Sequence, residues 1–254
     1  MKNTCRLIID PPAAGSWNMS VDQALMETAD TYAQPTLRIY NWHPATLSLG
    51  YFQSYETRLA HKESLGCTCV RRSTGGGAIL HDQEITYSLC VPSANRWSKK
   101  NTELYDLIHQ ATIETLRQWN IAAQLFPKIP EKTSAQKTKE KNQAFLCFER
   151  RTSGDVILDQ FKIGGSAQRR SRNALLQHGS ILLAKSTYAP QLPGIQDLSG
   201  KLIDRDELTE AWIQSVNRQL KFDFLPAQLS ENEFQTTEKI ENERYVRKQW
   251  NEKR

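Results

Sequence analysis

A run of three glycines behind two arginines is the segment of this sequence best suited to contact a bound group. Arg71 and Arg72 are followed, two residues later, by Gly75, Gly76 and Gly77. Glycine accepts positive φ angles and lets the backbone approach a ligand closely, and a guanidinium offers fork-shaped donors to an acidic group. The spacing fits neither a Walker loop nor a dinucleotide-binding fingerprint. The residues alone therefore leave two alternatives, a binding loop and a tight turn.

A second polar segment carries a lysine shortly before a glycine pair. Lys162 precedes Gly164–Gly165 and Ser166, an arrangement that can position a carbonyl or phosphate oxygen and is equally common in a turn with an exposed lysine. His178 begins a polar cluster that leads into an apolar run, where a histidine is more often structural than catalytic.

The cysteines give no sign of a disulfide framework or a zinc site. Cys67 and Cys69 form a C-x-C pair without a second pair or a nearby histidine, and we expect both to be buried on one face of a strand. Cys147 lies between Phe145 and Phe148, a setting typical of a small buried apolar residue. The five cysteines are Cys5, Cys67, Cys69, Cys90 and Cys147.

Interleaved strand-like and helix-like runs predict a mixed α+β (mixed α/β) fold that positions these segments. One helix is predicted from an Asn18 N-cap through Ala29 and another over Glu103–Trp119, each with apolar residues at helical spacing. The lysine-rich Pro127–Ala144 predicts a mobile basic loop, and Glu231–Arg254 predicts a charged C-terminal helix. The predicted strands are Cys5–Asp10, Thr36–Trp42, Cys69–Arg72, Ile85–Val91, Asp155–Leu158 and Gly179–Leu183.

Length and charge narrow the class of protein. The chain has 254 residues, enough to bury a substantial core, and contains no run approaching the roughly 18 apolar residues of a membrane span. Its N-terminus lacks the apolar core of a signal peptide. We therefore expect a cytoplasmic protein without membrane association. The net charge of +5 fits either a solvated surface or an acidic partner, namely nucleic acid or an acidic carrier protein.

Several motifs in order along most of the chain resemble the lipoate–biotin protein ligase superfamily. The resemblance implies its catalytic domain, with mixed β-sheets packed against helices, as a single domain over residues 1–254 with a core at about residues 31–220. We expect no ligase accessory domain, since few residues follow Leu183. The motifs are Asn18–Asp22, Leu37–Trp42, Leu47–Gln53, Arg71–Asp82, Lys162–Gln168 and Tyr245–Asn251.

Within this superfamily, the position of one cysteine resembles the octanoyltransferases of the LipM type. Cys147-Phe148 lies fifteen residues before Lys162. The resemblance implies that Cys147 carries the acyl group as a thioester and that Lys162 lowers the pKa of its thiol, as an ammonium near a thiol does. The remaining site residues are expected to bind substrate: Arg71, Arg72, Gly75, Gly76, Gly77, His81, Gly165, Ser166 and His178.

The implied reaction moves octanoate from octanoyl-acyl carrier protein to a lysine of a lipoyl domain, such as the glycine-cleavage H protein, in lipoate biosynthesis. It needs no ATP, cofactor or metal, and we expect a monomer. Backbone N–H groups near Gly75–Gly77 or Gly165–Ser166 would stabilise the oxyanion. His81 or His178 would accept the proton of the attacking amine.

Other functions stay open at this stage. An ATP-dependent lipoate–protein ligase would hold an acyl-adenylate with Lys162 and Arg71–Gly77. An amidotransferase that moves octanoyl groups between carrier domains would also use a cysteine. A non-enzymatic protein with this fold would bind an acyl group or a nucleotide without turning it over. Nucleic-acid binding through the basic Arg169–Arg172 ranks last, because no recognisable nucleic-acid module accompanies the charge.

Overall fold

The computed structural model describes residues 4–127 and 144–254, in which the strands form two sheets. The larger sheet is mixed. Its strand Thr4–Ile9 is parallel to both of its neighbours, and every other pair of strands is antiparallel. Its eight strands, from edge to edge, are Asp223–Pro226 (β11), Thr4–Ile9 (β1), Thr36–Tyr40 (β2), Glu84–Pro92 (β6), Ala174–Leu182 (β10), Phe161–Arg170 (β9), Val156–Leu158 (β8) and Gln124–Leu125 (β7).

A small second sheet carries the glycine-rich segment. Its central strand, Thr46–Leu49 (β3), pairs in parallel with Thr68–Arg71 (β4) and antiparallel with Ile79–His81 (β5). Residues 72–78 leave β4 and enter β5 at the same end of β3. The topology therefore holds both ends of the glycine-rich segment in hydrogen-bonded strands.

Helices cover both faces of the large sheet. Leu89 and Val91 of β6 pack in one cluster with Leu104 and Trp212, while the intervening Cys90 packs in another with Leu25. This alternation follows from the two-residue period of a strand. The helices are Gly15–Tyr32 (α1), Asn101–Arg117 (α2), Ile195–Ser199 (α3), Arg205–Leu220 (α4), Glu231–Ile240 (α5) and Lys248–Asn251 (α6).

The mixed α+β class predicted from the sequence is confirmed, and some local predictions are wrong. The first helix begins at Gly15, so Asn18 lies inside it rather than at its N-cap, and the Asn18 amide donates to the carbonyls of Ala13 and Asn41. Cys67 precedes β4 and is buried, while Cys69 within β4 is only half-buried.

The C-terminal segment is three helical pieces where one charged helix was expected. A π-helical turn, Glu241–Tyr245, separates α5 from α6. Tyr245 is buried, and its ring meets that of Trp250. Of the predicted basic loop at 127–144, all but the two end residues lie outside the described part of the chain. No helix in the described part is long and apolar enough to span a bilayer.

Candidate active site

Cys147 begins a short 3-10 turn, Cys147–Glu149, that is fastened to the glycine-rich segment. The Cys147 N–H donates to the Ala78 carbonyl at 2.7 Å, and the Ala78 N–H donates to the Phe145 carbonyl at 3.1 Å. The fully buried side chain of Leu146 anchors the segment in the core. The backbone around Cys147 is therefore fixed by hydrogen bonds and packing, and the thiol is only partly covered.

Lys162 brings its ammonium to the thiol from strand β9. The Nζ atom lies 4.0 Å from the Cys147 Sγ and 5.2 Å from the centre of the Phe148 ring. The alternative of an exposed surface lysine is wrong, because the side chain of Lys162 is 5% exposed. The predicted effect of Lys162 on the ionisation of this thiol stays a prediction.

The Lys162 ammonium forms an ion pair with a buried carboxylate that the sequence analysis missed. Asp155 Oδ2 lies 2.9 Å from Nζ, and the aspartate side chain is 1% exposed. Asp155 also accepts from the N–H and hydroxyl of Thr152 and from the hydroxyl of Tyr105. A buried ion pair is tolerated only where such additional hydrogen bonds satisfy its lone pairs, so Asp155 is held as rigidly as the lysine it faces.

Two glycines at the site are required for space or for backbone conformation. A Cβ atom at Gly165 would lie 2.4 Å from Cε and 2.7 Å from Nζ of Lys162, so a side chain there would displace the ammonium. Gly76 has a φ of 97°, in the region that favours glycine. A Cβ there would lie 3.9 Å from the Cys147 Sγ, which places the loop directly beside the thiol.

Both arginines donate to backbone carbonyls, and Arg72 donates to those of the glycine loop itself. Arg72 Nη2 donates to the carbonyls of Gly75 and Gly77 at 2.8 and 2.6 Å, and burial lowers the pKa of this guanidinium to about 10. Arg71 Nη1 donates to the carbonyls of Gly50 and Gln53. Arg72 thus holds the glycine loop, whereas Arg71 holds the neighbouring segment at residues 50–53. Contact between either arginine and a substrate stays a prediction.

His81 has both ring nitrogens engaged within the protein. Nδ1 donates to Glu84 at 2.6 Å, Nε2 accepts from the Ser48 hydroxyl at 2.8 Å, and the ring stacks on Trp42 at 3.8 Å. The arrangement positions β5 beside β3, and the role of His81 in substrate binding stays a prediction.

His178 links the glycine-rich segment to a polar cluster in the core. Nδ1 donates to Asp22 at 3.1 Å, and Nε2 shares a hydrogen bond of 2.7 Å with the Thr74 hydroxyl. Burial works against ionisation of Asp22, but the hydrogen bond from His178 and the charge of Arg38 lower the pKa of the carboxyl overall. His178 therefore positions Thr74, and its role as a base stays a prediction.

Ser166 belongs to a second buried network, centred on a histidine that the sequence analysis missed. His109 Nδ1 donates to the Gly154 carbonyl at 2.6 Å, which leaves Nε2 to accept a short hydrogen bond from the Ser166 hydroxyl. The Ser166 oxygen also meets the Tyr87 hydroxyl at 2.6 Å. Burial lowers the pKa of His109 to about 4, so the ring is neutral. The signal in the sequence that could have pointed to His109 is its spacing of four residues from Tyr105, which places both polar rings on one face of α2.

The arrangement brings a thiol and an ammonium together beside a hydrogen-bonded loop. Cys147, Lys162 and Asp155 supply a thiol, an ammonium and a carboxylate in series. Such a series suits acyl transfer through a thioester. Over residues 4–127 and 144–254, no three His, Cys, Asp or Glu side chains converge in a way that would hold a metal ion.

Comparisons with known proteins agree with this chemistry. The family model of the lipoyl protein ligase A/B catalytic domain matches residues 14–236. Octanoyltransferase LipM of Anoxybacillus flavithermus (strain DSM 21510 / WK1) is 30% identical over 279 residues, covering 100% of this chain and 99% of its own. Octanoyltransferase LipM of Bacillus subtilis (strain 168) is 29% identical over 280 residues, with 100% and 99% covered.

Solved structures show the same fold. A bi-partite lipoate protein ligase from Thermoplasma acidophilum, described with its E2 lipoyl domain, superposes with a TM-score of 0.73 at 20% identity, covering 99% of this chain and 96% of that one. At this identity the likeness concerns the fold alone.

Proposed function

This chain belongs to the lipoyl protein ligase A/B catalytic-domain family, and from that premise we propose that it is an octanoyltransferase of the LipM type, acting through a thioester on Cys147. The single observation that carries the mechanism is the 4.0 Å contact between Lys162 Nζ and Cys147 Sγ. A thioester donor can pass its acyl group to a protein thiol at little cost in free energy. The attacking group in that transfer is the thiolate rather than the thiol. The relatives named octanoyltransferase LipM match this chain over almost its whole length.

In the first half-reaction, the Cys147 thiolate attacks the carbonyl carbon of octanoyl-acyl carrier protein. A bond forms between Sγ and the carbonyl carbon, the bond from that carbon to the carrier sulfur breaks, and the carrier leaves as a thiol after taking up a proton. The octanoyl group then stays on Cys147. The proposed donors for the oxyanion are backbone N–H groups of the Gly75–Gly77 loop, since Gly76 lies beside the thiol.

In the second half-reaction, the neutral amine of a lysine on a lipoyl domain attacks the acyl-cysteine. The amide forms, Sγ leaves as a thiolate, and the amine proton passes to a base. The Lys162 ammonium stabilises the thiolate at the start of the first half-reaction and again at the end of the second. A lipoyl-domain acceptor fits the family, and the glycine-cleavage H protein is the acceptor that we propose.

The ion pair with Asp155 explains how a charged lysine can lie at this depth. An unpaired ammonium out of water would lose its proton, and the carboxylate at 2.9 Å offsets that desolvation. Asp155 thus provides the opposite charge next to the buried Lys162, and we propose that this ion pair positions Lys162 beside the thiol.

Intact-protein mass spectrometry tests the proposal. The protein is mixed with octanoyl-acyl carrier protein without ATP, and we expect a gain of one octanoyl group that hydroxylamine removes and that maps to Cys147. A folded protein that gains no adduct, but releases pyrophosphate from ATP in the presence of free lipoate, would instead be a ligase.

A further inference from the structure

Three cationic side chains surround two neighbouring aromatic rings next to the candidate active site. Lys253 Nζ lies 3.7 Å from the centre of the Tyr51 ring, and the guanidinium of Arg254 lies 5.4 Å from the same ring. Arg254 also lies 5.3 Å from the ring of Phe52, and Arg169 lies 5.9 Å from that of Tyr51. We call Tyr51, Phe52, Arg169, Lys253 and Arg254 the basic–aromatic surface.

The described residues offer the cations of this surface no close carboxylate partner. Over residues 4–127 and 144–254, no carboxylate lies within 4.0 Å of a side-chain nitrogen of Arg169, Lys253 or Arg254. The positive potential is felt by Tyr51, because the charge of Lys253, with those of Arg254 and Arg169, lowers the pKa of its phenol. Phe52 is 71% exposed, an unusual exposure for so large an apolar side chain.

The surface is continuous with the loop beside the thiol. The Tyr51 N–H donates to the Thr74 carbonyl at 2.8 Å, and Arg169 Nη1 donates to the Ser73 carbonyl at 2.5 Å. A Cβ at Gly75 would lie 3.9 Å from the Phe52 ring. The next residue along the loop, Gly76, is the one that adjoins Cys147. A molecule resting on this surface therefore lies at the approach to the nucleophile.

We propose that the basic–aromatic surface docks the acidic carrier protein that delivers the octanoyl thioester, an inference that rests on the proposed function. Such a carrier presents its acyl group on an arm containing a phosphodiester, so both the protein and the arm are anionic. Guanidinium and ammonium groups are the natural partners of phosphates and carboxylates, and Phe52 offers an apolar contact beside them. We assign the donor rather than the acceptor because only the donor combines an acidic surface with a phosphate on the arm that enters the site.

A double charge reversal tests this assignment. We compare Lys253→Glu/Arg254→Glu with the control Lys185→Glu/Lys239→Glu, which changes net charge equally at exposed residues outside the surface. The rate of acyl-enzyme formation is measured with octanoyl-acyl carrier protein and with octanoyl-N-acetylcysteamine, a thioester without protein or phosphate. Phe52→Ala provides a second variant that removes an exposed ring and leaves every cation in place.

With limiting carrier protein at low salt, we expect the double reversal to slow acylation about tenfold or more, since charged rims act mainly on association. Added salt should slow the unaltered protein and have little effect on the variant. Phe52→Ala should also slow acylation by the carrier. The small thioester should acylate all variants within twofold of the unaltered protein, and the control should behave like the unaltered protein throughout.

Four outcomes would overturn the docking proposal. In the first three, the double reversal leaves carrier acylation unchanged, slows acylation by the small thioester equally, or slows only the transfer from acyl-enzyme to lipoyl domain. The third of these would assign the surface to the acceptor. If the unaltered protein forms no acyl-enzyme with either thioester, the proposed function itself fails, and the docking proposal fails with it. The small thioester thus separates failure of docking from failure of chemistry.

Discussion

Among the cysteines of this chain, Cys147 differs in its surroundings rather than in its type. Burial raises the pKa of the Cys5 thiol to about 12 and that of Cys69 to about 11, and it also raises that of Cys90. Within residues 4–127 and 144–254, Cys147 is the cysteine whose sulfur has a lysine ammonium 4.0 Å away. Reactivity towards electrophiles at neutral pH should therefore concentrate at this residue.

We expect Cys147→Ala to abolish both the acyl-enzyme and the transfer of octanoate to a lipoyl domain, because no other thiol is placed to replace it. Mass spectrometry of the protein after exposure to octanoyl-acyl carrier protein measures the first, and modification of the acceptor measures the second. Cys69→Ala is the matched control and should keep both activities. Full transferase activity in Cys147→Ala would rule out the thioester route.

Lys162→Met removes the charge beside the thiol while keeping most of the side-chain length. We expect the pH profile of Cys147 alkylation to move to higher pH, since an adjacent opposite charge stabilises an ionised group. Iodoacetamide labelling across a pH series gives the profile. Lys185→Met, at an exposed position, should leave the profile unchanged, and an unshifted profile in Lys162→Met would contradict the electrostatic role.

Asp155→Asn tests whether the carboxylate acts through Lys162. The amide keeps the size of the side chain but cannot balance the buried ammonium, so Lys162 should lose its proton more easily and the thiolate should lose its partner. We expect acyl-enzyme formation to slow about tenfold or more and the alkylation profile to shift to higher pH. A purely structural role would lower the free energy of unfolding without moving that profile.

At the scale of elements, helix α2 and strand β9 meet through one buried histidine. His109 of α2 reaches the Gly154 carbonyl and the Ser166 hydroxyl of β9. The pairing couples the orientation of α2 to the strand that carries Lys162. Because the His109 ring is neutral in the folded state, this junction should respond to acid.

The direction of that response follows from the two protonation states. Burial lowers the pKa of His109 from 6.5 to about 4, so the unfolded chain takes up a proton at higher pH than the folded protein does. The free energy of unfolding should therefore fall as pH drops from about 6.5 to about 4, by at most about 3 kcal/mol. Urea unfolding at several pH values measures it.

His109→Gln keeps a polar side chain that does not titrate, and its stability should change less over this pH window than that of the unaltered protein. His43→Gln, at an exposed histidine, should keep the original slope. If the slope is the same with and without His109, this histidine is not the source of the acid sensitivity.

At the scale of the whole molecule, the last residues of the chain close onto the small sheet that carries the active-site loop. Asn251 Oδ1 accepts from the Arg71 N–H at 2.9 Å, and the Asn251 carbonyl accepts from the Arg71 guanidinium at 2.9 and 3.1 Å. Trp250 Nε1 donates to the Arg71 carbonyl at 2.8 Å. The C-terminal segment therefore supports the strand from which the glycine loop departs.

We expect Asn251→Ala to lower the free energy of unfolding by about 1–3 kcal/mol, the usual cost of leaving a buried N–H without its acceptor. Acyl-enzyme formation should slow as well, because the loop departs from the affected strand. Urea unfolding and acylation rates measure the two effects. The control Asn242→Ala, at an exposed asparagine, should change the free energy of unfolding by less than about 0.5 kcal/mol. Equal effects of the two variants would contradict the proposal that Asn251 supports the strand from which the glycine loop departs.

The sequence by itself determined the fold class, the family and the short motifs, because these depend on periodicity and on spacing along the chain. The fifteen-position offset from Cys147 to Lys162 and the glycines after Arg72 are local patterns of this kind. Only the tertiary structure decided which groups surround them. Asp155 and His109 carry no motif, and the contact of Arg71 with Asn251 joins residues 180 positions apart.

The same reason explains why both arginines bind backbone carbonyls of this protein in the structure, although the sequence indicated donors for a ligand. A guanidinium in a sequence shows what it can donate, and only the folded chain shows which carbonyls lie within its reach. Hydrogen bonds between single groups far apart in sequence leave no periodic trace. The partners of Lys162, Ser166 and Arg71 were therefore decided by the packing of sheets, helices and the C-terminal segment around them.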